Sequence, residues 1–464
     1  RSISILRNLK ISSGINIMSE KITQIGAGLA GPLLATSLAR LGYHVDIYER
    51  RADMRKESIG AGRSINLALS ARGIHALKEV KIYDQIKPFT IPMKGRMIHD
   101  IDGSTHLQPY GQRKTEVICS ISREQLNKQL MTLAEETGKV KIHFNKKCTH
   151  VDLDKETITF QDTKSGRTNV FHASLVIGVD GSASAVRDAM VESGKLNCTY
   201  EPLEHGYKEL TLPPGRDGNF PMEPNALHIW PRGQFMLIAL PNLNKTFTCT
   251  LFFPMEGPLS FKTVVESEDV IKLFENQFPD ALGMMPGVAE EYLSNPIGKL
   301  GTVFCDPWHV GSQALLLGDA AHAVVPFFGQ GMNASFQDCS LLRKLIDKHS
   351  GDWAVIFSEF SRIHVKNGHS IAKMAIENYL EMRDHVNDPT YRKRRKLELK
   401  MERMFPGEFI PRYSMVSFHQ IPYSEVYTRG EKQLKIIEAM LEKFDDISEI
   451  DKISVQDYLQ IPTD

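Results

Sequence analysis

Three short stretches set glycines and an acid at spacings that suit phosphates and sugar hydroxyls. The first runs from Lys21 to Arg50 and contains Gly26-x-Gly28-x-x-Gly31, with Glu49-Arg50 at its end. Gly26 permits a tight turn, Gly28 lets backbone approach a pyrophosphate, and Gly31 lets a helix pack close to a strand. A helix start behind such a turn offers N–H groups and a positive dipole to phosphate. Glu49 stands where a carboxylate would accept bonds from ribose hydroxyls. An acid there favours FAD or NAD over NADP.

The second stretch is Leu175-Val-Ile-Gly178-Val-Asp180-Gly181, followed by a helix start through Ser184 to Arg187. The third is Ala314 to Leu317, then Gly318-Asp319, continuing through Pro326-Phe327-Phe328-Gly329-Gln330-Gly331-Met332-Asn333. Asp319 at the end of an apolar run could accept a bond from a sugar or ribityl hydroxyl. The N–H groups near Gly331, Met332 and Asn333, at a helix start, could face a ring carbonyl or developing negative charge.

The elements needed to place these residues can be read locally. An apolar strand from Ile22 to Ile25 enters the first turn. A helix follows on Leu33, Leu34, Leu38 and Leu41 and stops at Gly42. A second strand through Val45 and Ile47 ends at Glu49. The acids of the other two stretches also follow apolar runs. The order strand, helix, strand predicts an α/β fold with a Rossmann-like dinucleotide domain. Runs such as His228–Leu240 and Lys245–Phe253 alternate as strands do and predict a β-sheet substrate domain. From Glu377 onward the pattern is helical, and Tyr423 to Phe444 is amphipathic.

In order and spacing the three motifs resemble the signature of the group A flavoprotein monooxygenases, whose fold is of the p-hydroxybenzoate hydroxylase type. The likeness runs from Ile22 to about Asn333. It implies that FAD is bound, with Gly26, Gly28, Gly31, Glu49 and Arg50 on the adenosine side. Asp319, Gly331, Met332 and Asn333 fall on the flavin side. It further implies that Asp180 belongs to a motif touching both FAD and NADPH, and that Arg123 lies near the FAD phosphates. No second Gly-x-Gly-x-x-Gly follows a strand, which fits NADPH as a transient co-substrate used with O2.

Further segments are similar to one branch of the group, which acts on an aromatic amino acid. They are Ser64 to Gly73, Pro92 to Asp100, His228 to Arg232, Pro326 to Asn333 and Arg412 to Phe418. That similarity extends over nearly the whole chain from Met18. A substrate with an α-amino acid carboxylate and an aminobenzoyl ring calls for an arginine fork and an apolar slot. The resemblance places Arg96 and Tyr110 on the carboxylate and Asn378 and Tyr413 at the amino-acid end. Leu227, Ile238, Leu240, Phe252, Pro326 and Phe327 fall at the ring. By residue chemistry alone Arg96 reads as a surface charge, the alternating apolar residues as core, and Asn378 and Tyr413 as packing. Phe328 stands where some relatives have histidine, so any ring chemistry that histidine assists has no counterpart here. His322 reads as structural. No side chain is assigned as an acid–base catalyst, because the implied route goes through a flavin C4a-hydroperoxide. Another aromatic acid as substrate, or a non-catalytic FAD-binding partner module, are the competing readings.

Bulk properties narrow the partners. Lys+Arg and Asp+Glu are both 56, so broad electrostatic binding to nucleic acid is not expected. The run Arg392 to Lys396 reads as a solvated helix face. Six scattered cysteines form no Cys-x-x-Cys pair, which argues against a metal site and suits small buried side chains in a reducing compartment. No stretch suits a membrane span. Eukaryotic relatives are anchored at the C-terminal end, so a soluble, cytoplasmic, bacterial-like form is expected, or the mitochondrial outer membrane if an anchor follows. The expected partition is an extension at 1–17 ahead of a start at Met18. A discontinuous FAD domain follows at 18–100, 119–191 and 300–375. The substrate sheet takes 101–118 and 196–299, and the helical region 376–464. Oligomeric state is not legible.

Overall fold

The computed structural model describes residues 21–57, 66–382 and 389–443. The expected extension at 1–17, the start of the segment at Ser64 and the end of the helical region lie outside the described residues. The fold is α/β, built on two main sheets with helices behind them and a helical C-terminal region.

The first sheet has six strands. Lys21–Ile25 lies inside it, flanked in parallel by Val176–Gly178 and His44–Tyr48. Ala314–Leu316 continues the parallel order on one side and Val140–His143 on the other. Ile22, Ile47, Ile177 and Leu315 are fully buried, as expected of strands covered on both faces. Each of the three glycine-acid motifs therefore leaves the same end of one sheet, from neighbouring strands. The helix Ala30–Leu41 ends at Gly42, whose φ of 108° permits the left-handed cap. The helix Gly331–His349 packs beside Ala30–Leu41 and Ala71–Glu79.

The second sheet has seven strands, in the order Gly298–Asp306, Asn197–Leu212, Phe247–Pro254, Met236–Pro241, Leu227–Pro231, Gly95–His99, Thr105–Pro109. Its register explains the alternation seen in sequence. Leu227 pairs with Arg96, Ile229 with Ile98 and with Ile238, and Met236 with Phe252. Paired residues share a face, so Arg96, Leu227, Ile229, Met236, Ile238, Leu240 and Phe252 lie on one side. Trp230, Leu237, Cys249, Leu251 and Phe253 lie on the other, packed with Phe274, Phe278 and Tyr292 of the outer helices. Gly95–His99 and much of Gly298–Asp306 belong to this sheet. The boundaries expected at residues 100 and 300 therefore do not coincide with sheet membership.

The C-terminal helices Trp353–Leu380, Pro389–Met404, Arg412–Phe418 and Tyr423–Lys443 cover the first face. None of the helices among the described residues is long and apolar enough to cross a membrane. Arg72 fastens these helices to the dinucleotide domain. Its fully buried guanidinium donates to the carbonyls of Val416 (2.6 Å), Met415 (3.1 Å) and Ile421 (2.7 Å), and to Gln337 Oε1 (3.1 Å). It also lies 4.1 Å from the Tyr423 ring centroid. Arg72→Met would leave three carbonyls without donors, and a loss of about 3 kcal/mol is expected. A urea unfolding curve measures it, and an unchanged midpoint would mean that other donors reach those carbonyls.

Candidate active site

The cofactor cradle forms where the three motifs meet. A Cβ at Gly26 would stand 2.4 Å from Val179 O, and one at Gly31 would stand 2.2 Å from Gly26 O. Both glycines are thus required by close approach. A Cβ at Gly28 would meet nothing within 4 Å, so that backbone faces open space. Arg187 bonds Ala320 O (3.3 Å) and Ser182 O (2.7 Å), which ties the second motif to the third.

Glu49 is buried. Its Oε2 accepts from Ala27 N (2.8 Å), and its Oε1 accepts from the N–H (2.9 Å) and the Nε (2.8 Å) of Arg51. Burial alone would raise its pKa, but the Arg51 guanidinium beside it wins and holds the carboxyl below its ordinary range. Arg50, expected at the cofactor, is exposed, and its carbonyl accepts from Thr163 Oγ1 at 3.4 Å. The partner that sequence reasoning missed is Arg51. At the end of a strand, residues two apart share a side, which was the available signal. Arg123 is exposed at the start of the helix Arg123–Glu135. One turn later on the same face, Asn127 Nδ2 bonds Ala27 O at 3.2 Å.

Asp180 is half-buried. Its Oδ2 accepts from Ala185 N (2.8 Å), while Oδ1 has no partner. Burial pushes its pKa up. The open backbone at Gly28, the Glu49 carboxylate and this orphaned oxygen are chemically suited to a dinucleotide such as FAD. Among the described residues no group of His, Cys, Asp and Glu could hold a metal ion.

On the flavin side, Asp319 is half-buried behind Gly318. Asn333 is wholly committed to protein. Its Nδ2 donates to Ala68 O and Gly329 O, both at 2.8 Å, and its Oδ1 accepts from Ser70 N at 3.0 Å. Its side chain shapes the loop, and the main-chain N–H groups of Gly331, Met332 and Asn333 at the helix start have no partner within the helix. Tyr423 donates to Gln330 Oε1 at 2.9 Å, which fixes the same turn from the C-terminal side. His322 is engaged through Nε2 alone, its Nδ1 being buried without a partner. Its Nε2 lies 2.6 Å from Asp338 Oδ2, His364 Nδ1 lies 2.7 Å from Oδ1, and Gly318 N donates to Oδ2 at 2.8 Å. Burial would lower the His322 pKa, but the Asp338 carboxylate outweighs it and the net shift is upward. Asp338 is shifted down by the two imidazoles against its own burial.

Of the residues expected on the substrate side, Tyr110, Asn378 and Tyr413 join Arg96 in one cleft, whereas Leu227, Ile238, Leu240, Phe252, Pro326 and Phe327 do not line it. A cleft partly open to solvent is lined by Arg96, Tyr110, Phe328, Asn378 and Tyr413, together with Tyr391, Arg394, Arg395, Arg412 and the acids Glu377, Glu381 and Glu398. Tyr110, Tyr413 and Phe328 form a stack, with centroids 5.4 Å apart at each step. The Arg96 guanidinium lies 4.7 Å from the Tyr413 ring centroid. Arg96 Nε is buried without a partner, and among the described residues no ion pair reaches this side chain. Burial would favour its neutral form, yet the tyrosine oxygens and Glu381 keep it charged, with its pKa raised. Asn378 Nδ2 bonds Phe327 O at 2.8 Å. Leu227 and Ile238 are partly buried beside Tyr413, whereas Leu240 packs with Met93 and Tyr110 behind them. Phe252 and Phe327 meet at 4.8 Å deeper in the wall, and Pro326 opens the turn that carries Phe327.

The basic run is not the solvated face expected. Of its described side chains only Lys396 is exposed. Arg394 pairs with Glu381 (2.6 Å), and Arg395 pairs with Glu398 (2.8 Å) and donates to Tyr110 O (3.3 Å). Contacts to Glu381 and the Tyr110 carbonyl, outside the helix, hold this face inward, while Glu398 pairs with Arg395 along the helix itself.

Two outcomes are expected. Glu49→Gln should weaken FAD binding about 10- to 100-fold, by the strength of a charged hydrogen bond. Fluorescence titration of the apoprotein reads it, and unchanged affinity would remove Glu49 from the cradle. Asp338→Asn should cost most stability between about pH 4 and pH 6.5. The Asp338 contribution is lost as pH falls through its lowered pKa, and the His322 contribution as pH rises through its raised one. A pH-independent difference in unfolding free energy would contradict the charged pairing.

Comparison with known proteins agrees with this geometry. The profile of the FAD binding domain family matches residues 21–201 and 262–355. A kynurenine 3-monooxygenase of Myxococcus xanthus (strain DK1622) is 48% identical over 411 residues, covering 89% of this chain and 88% of its own. One of Xanthomonas axonopodis pv. citri (strain 306) is 44% identical over 435 residues, covering 94% and 95%. Among solved structures, the tetrameric form of 2-methyl-3-hydroxypyridine-5-carboxylic acid oxygenase superposes with a TM-score of 0.64 at 18% identity, covering 80% of this chain and 94% of that one. Tetracycline destructase Tet(51) gives a TM-score of 0.59 at 19% identity, covering 82% and 95%, and these two likenesses speak for the fold alone. With identity of this order across most of both chains, the chain belongs to the kynurenine 3-monooxygenase family of FAD-dependent monooxygenases.

Proposed function

We propose that this chain hydroxylates L-kynurenine at ring carbon 3, consuming NADPH, O2 and a proton and releasing 3-hydroxykynurenine, NADP and water. The observation that carries the reading is Arg96, a buried cation with no acidic partner among the described residues, at the end of an apolar wall beside the FAD cradle. Its charge is favoured by the surrounding tyrosines and Glu381 yet is not paired, so it can receive an anion. The α-carboxylate of an amino acid supplies one, and a guanidinium can take it through two parallel bonds. The names of the bacterial relatives support kynurenine as that amino acid.

Bound FAD would supply the redox chemistry, accepting hydride from NADPH and passing on an oxygen atom from O2. The chain's residues do the rest. Arg96 holds the carboxylate, with Tyr110 and Tyr413 packed beside the guanidinium. Asn378 lines the same end. Leu227, Ile238 and Phe328 present apolar surface to the aromatic ring, which orients it and keeps water away. Phe328 carries no proton to exchange, so the protein's contribution is positioning and exclusion of solvent. Glu49, Asp180, Asp319 and the N–H groups of Gly331 and Met332 are the groups proposed to hold FAD.

Two measurements test the reading together. L-Kynurenine should stimulate NADPH consumption by the FAD-loaded protein and yield a product one oxygen heavier. Arg96→Met should raise the kynurenine KM by a factor of about 10 to 1,000 with flavin content retained, by the strength of the charged bonds lost. Stimulation giving only hydrogen peroxide would point to another aromatic acid as substrate. No stimulation by any aromatic acid would point to a non-catalytic flavoprotein.

A further inference from the structure

We propose that Cys198 and Cys305 form a peroxide-responsive dithiol, closing to a disulfide across two paired strands. The two residues lie directly opposite each other where Asn197–Leu212 pairs antiparallel with Gly298–Asp306. Opposed residues of antiparallel strands have Cα atoms about 4.5–5.5 Å apart, inside the range of about 4.4–6.8 Å that a disulfide spans. Their sulfurs are already 3.0 Å apart, so closure to about 2 Å needs only side-chain rotation and a small strand adjustment.

Accessibility orders the chemistry. Cys198 is the one cysteine of the six that is not buried; Cys305 is completely buried behind it. Burial and the neighbouring Cys198 sulfur push the Cys305 thiol up, so it waits protonated. The thiolate of Cys198 attacks one oxygen of hydrogen peroxide. An S–O bond forms, the O–O bond breaks, and hydroxide leaves as water after taking a proton. Cys305 then attacks the Cys198 sulfur. The S–S bond forms, the S–O bond breaks, and the departing hydroxide takes the Cys305 proton as a second water. Two thiols and one peroxide give one disulfide and two waters. The other four cysteines are buried and not paired with each other, so the linkage is specific.

The pair is also well placed in the chain. The Cys305 carbonyl accepts from Trp308 Nε1 (2.9 Å) and His369 Nε2 (3.2 Å), and the Trp308 ring stacks on His322 of the flavin-side motif with centroids 4.8 Å apart. A bond here staples the root of that segment to the substrate sheet and closes a loop between residues 107 apart in sequence.

The test is treatment of the folded holoenzyme with hydrogen peroxide, followed by thiol titration and non-reducing peptide mass spectrometry. Two of the six thiols should disappear, a peptide joined through Cys198 and Cys305 should appear, and dithiothreitol should reverse both. The oxidised protein should unfold at a higher urea concentration than the reduced one. Cys305→Ser should stop the reaction at a sulfenic acid on Cys198 that dimedone captures. Six titratable thiols after treatment, or a crosslink between other cysteines, would overturn the proposal. Added peroxide acts whatever the aromatic substrate, so this result stands apart from the proposed hydroxylation.

Discussion

A guanidinium buried among aromatic rings, with no acidic partner among the described residues, is the constraint around which the substrate half of the fold is arranged. Arg96 sits on a strand whose register forces its side chain to the inner face, with Leu227 directly beside it. Such a charge has to be kept ionised without being neutralised, or it would not be available to an incoming carboxylate. Tyrosines achieve that, since the rings of Tyr110 and Tyr413 and the oxygen of Tyr391 favour the cation while its Nε–H stays unpartnered. Tyr110, Tyr391 and Tyr413 come from three separate parts of the chain, so the C-terminal helices must close over the sheet to bring them in. Glu381 adds long-range negative charge but is itself paired with Arg394. The local balance thus favours an anion at Arg96 without supplying one.

What the sequence made legible follows from the range of the interactions involved. The glycine turn, its strand and its helix are set by neighbours within 30 or so residues, and the reading of Gly26 and Gly31 rests on clashes any backbone of this shape would suffer. The substrate face was legible because side-chain alternation has a period of two. Once Leu227 and Ile238 face inward, register carries Leu240 and Phe252 with them. The Glu49 partner was harder. Arg50 and Arg51 are adjacent and chemically identical, and only the turn of the backbone after the strand selects the second. The inward helix at 389–404 was not legible, because a dense basic run looks solvated until Glu381 and the Tyr110 carbonyl are known to lie opposite it. Arg96 and Asn378 read as surface and packing residues by chemistry alone, and only the family resemblance marked them out.

The Asn333 side chain shows a general division of labour. The sequence reading put the main-chain N–H groups of this turn at the cofactor, and the Asn333 side chain bonds instead to backbone of the strand Asn66–Leu69, its following turn and the glycine loop. Neighbouring polar side chains behave alike: Gln330 receives Tyr423, and Asp338 is shared by two imidazoles and Gly318. Where a cofactor does the bond-making, the protein gains most from a rigid surface of main-chain donors, and polar side chains serve best as braces for it.

That bracing joins the two halves of the site. Phe328 belongs to the flavin-side turn and stacks on Tyr413, which in turn lies against Arg96; Phe327, its neighbour, is packed between Phe252 of the sheet and Tyr379 of a C-terminal helix. Tyr423 reaches the same turn from the helix that Arg72 holds in place. A carboxylate arriving at Arg96 alters the balance of charge that the Tyr413 ring helps to hold, and a shift of that ring is passed directly to Phe328. Close-packed aromatic contacts do not stretch gradually; they hold or they rearrange. The geometry therefore links the Arg96 end of the cleft to the turn Pro326–Gly329 through the Tyr413 and Phe328 rings alone.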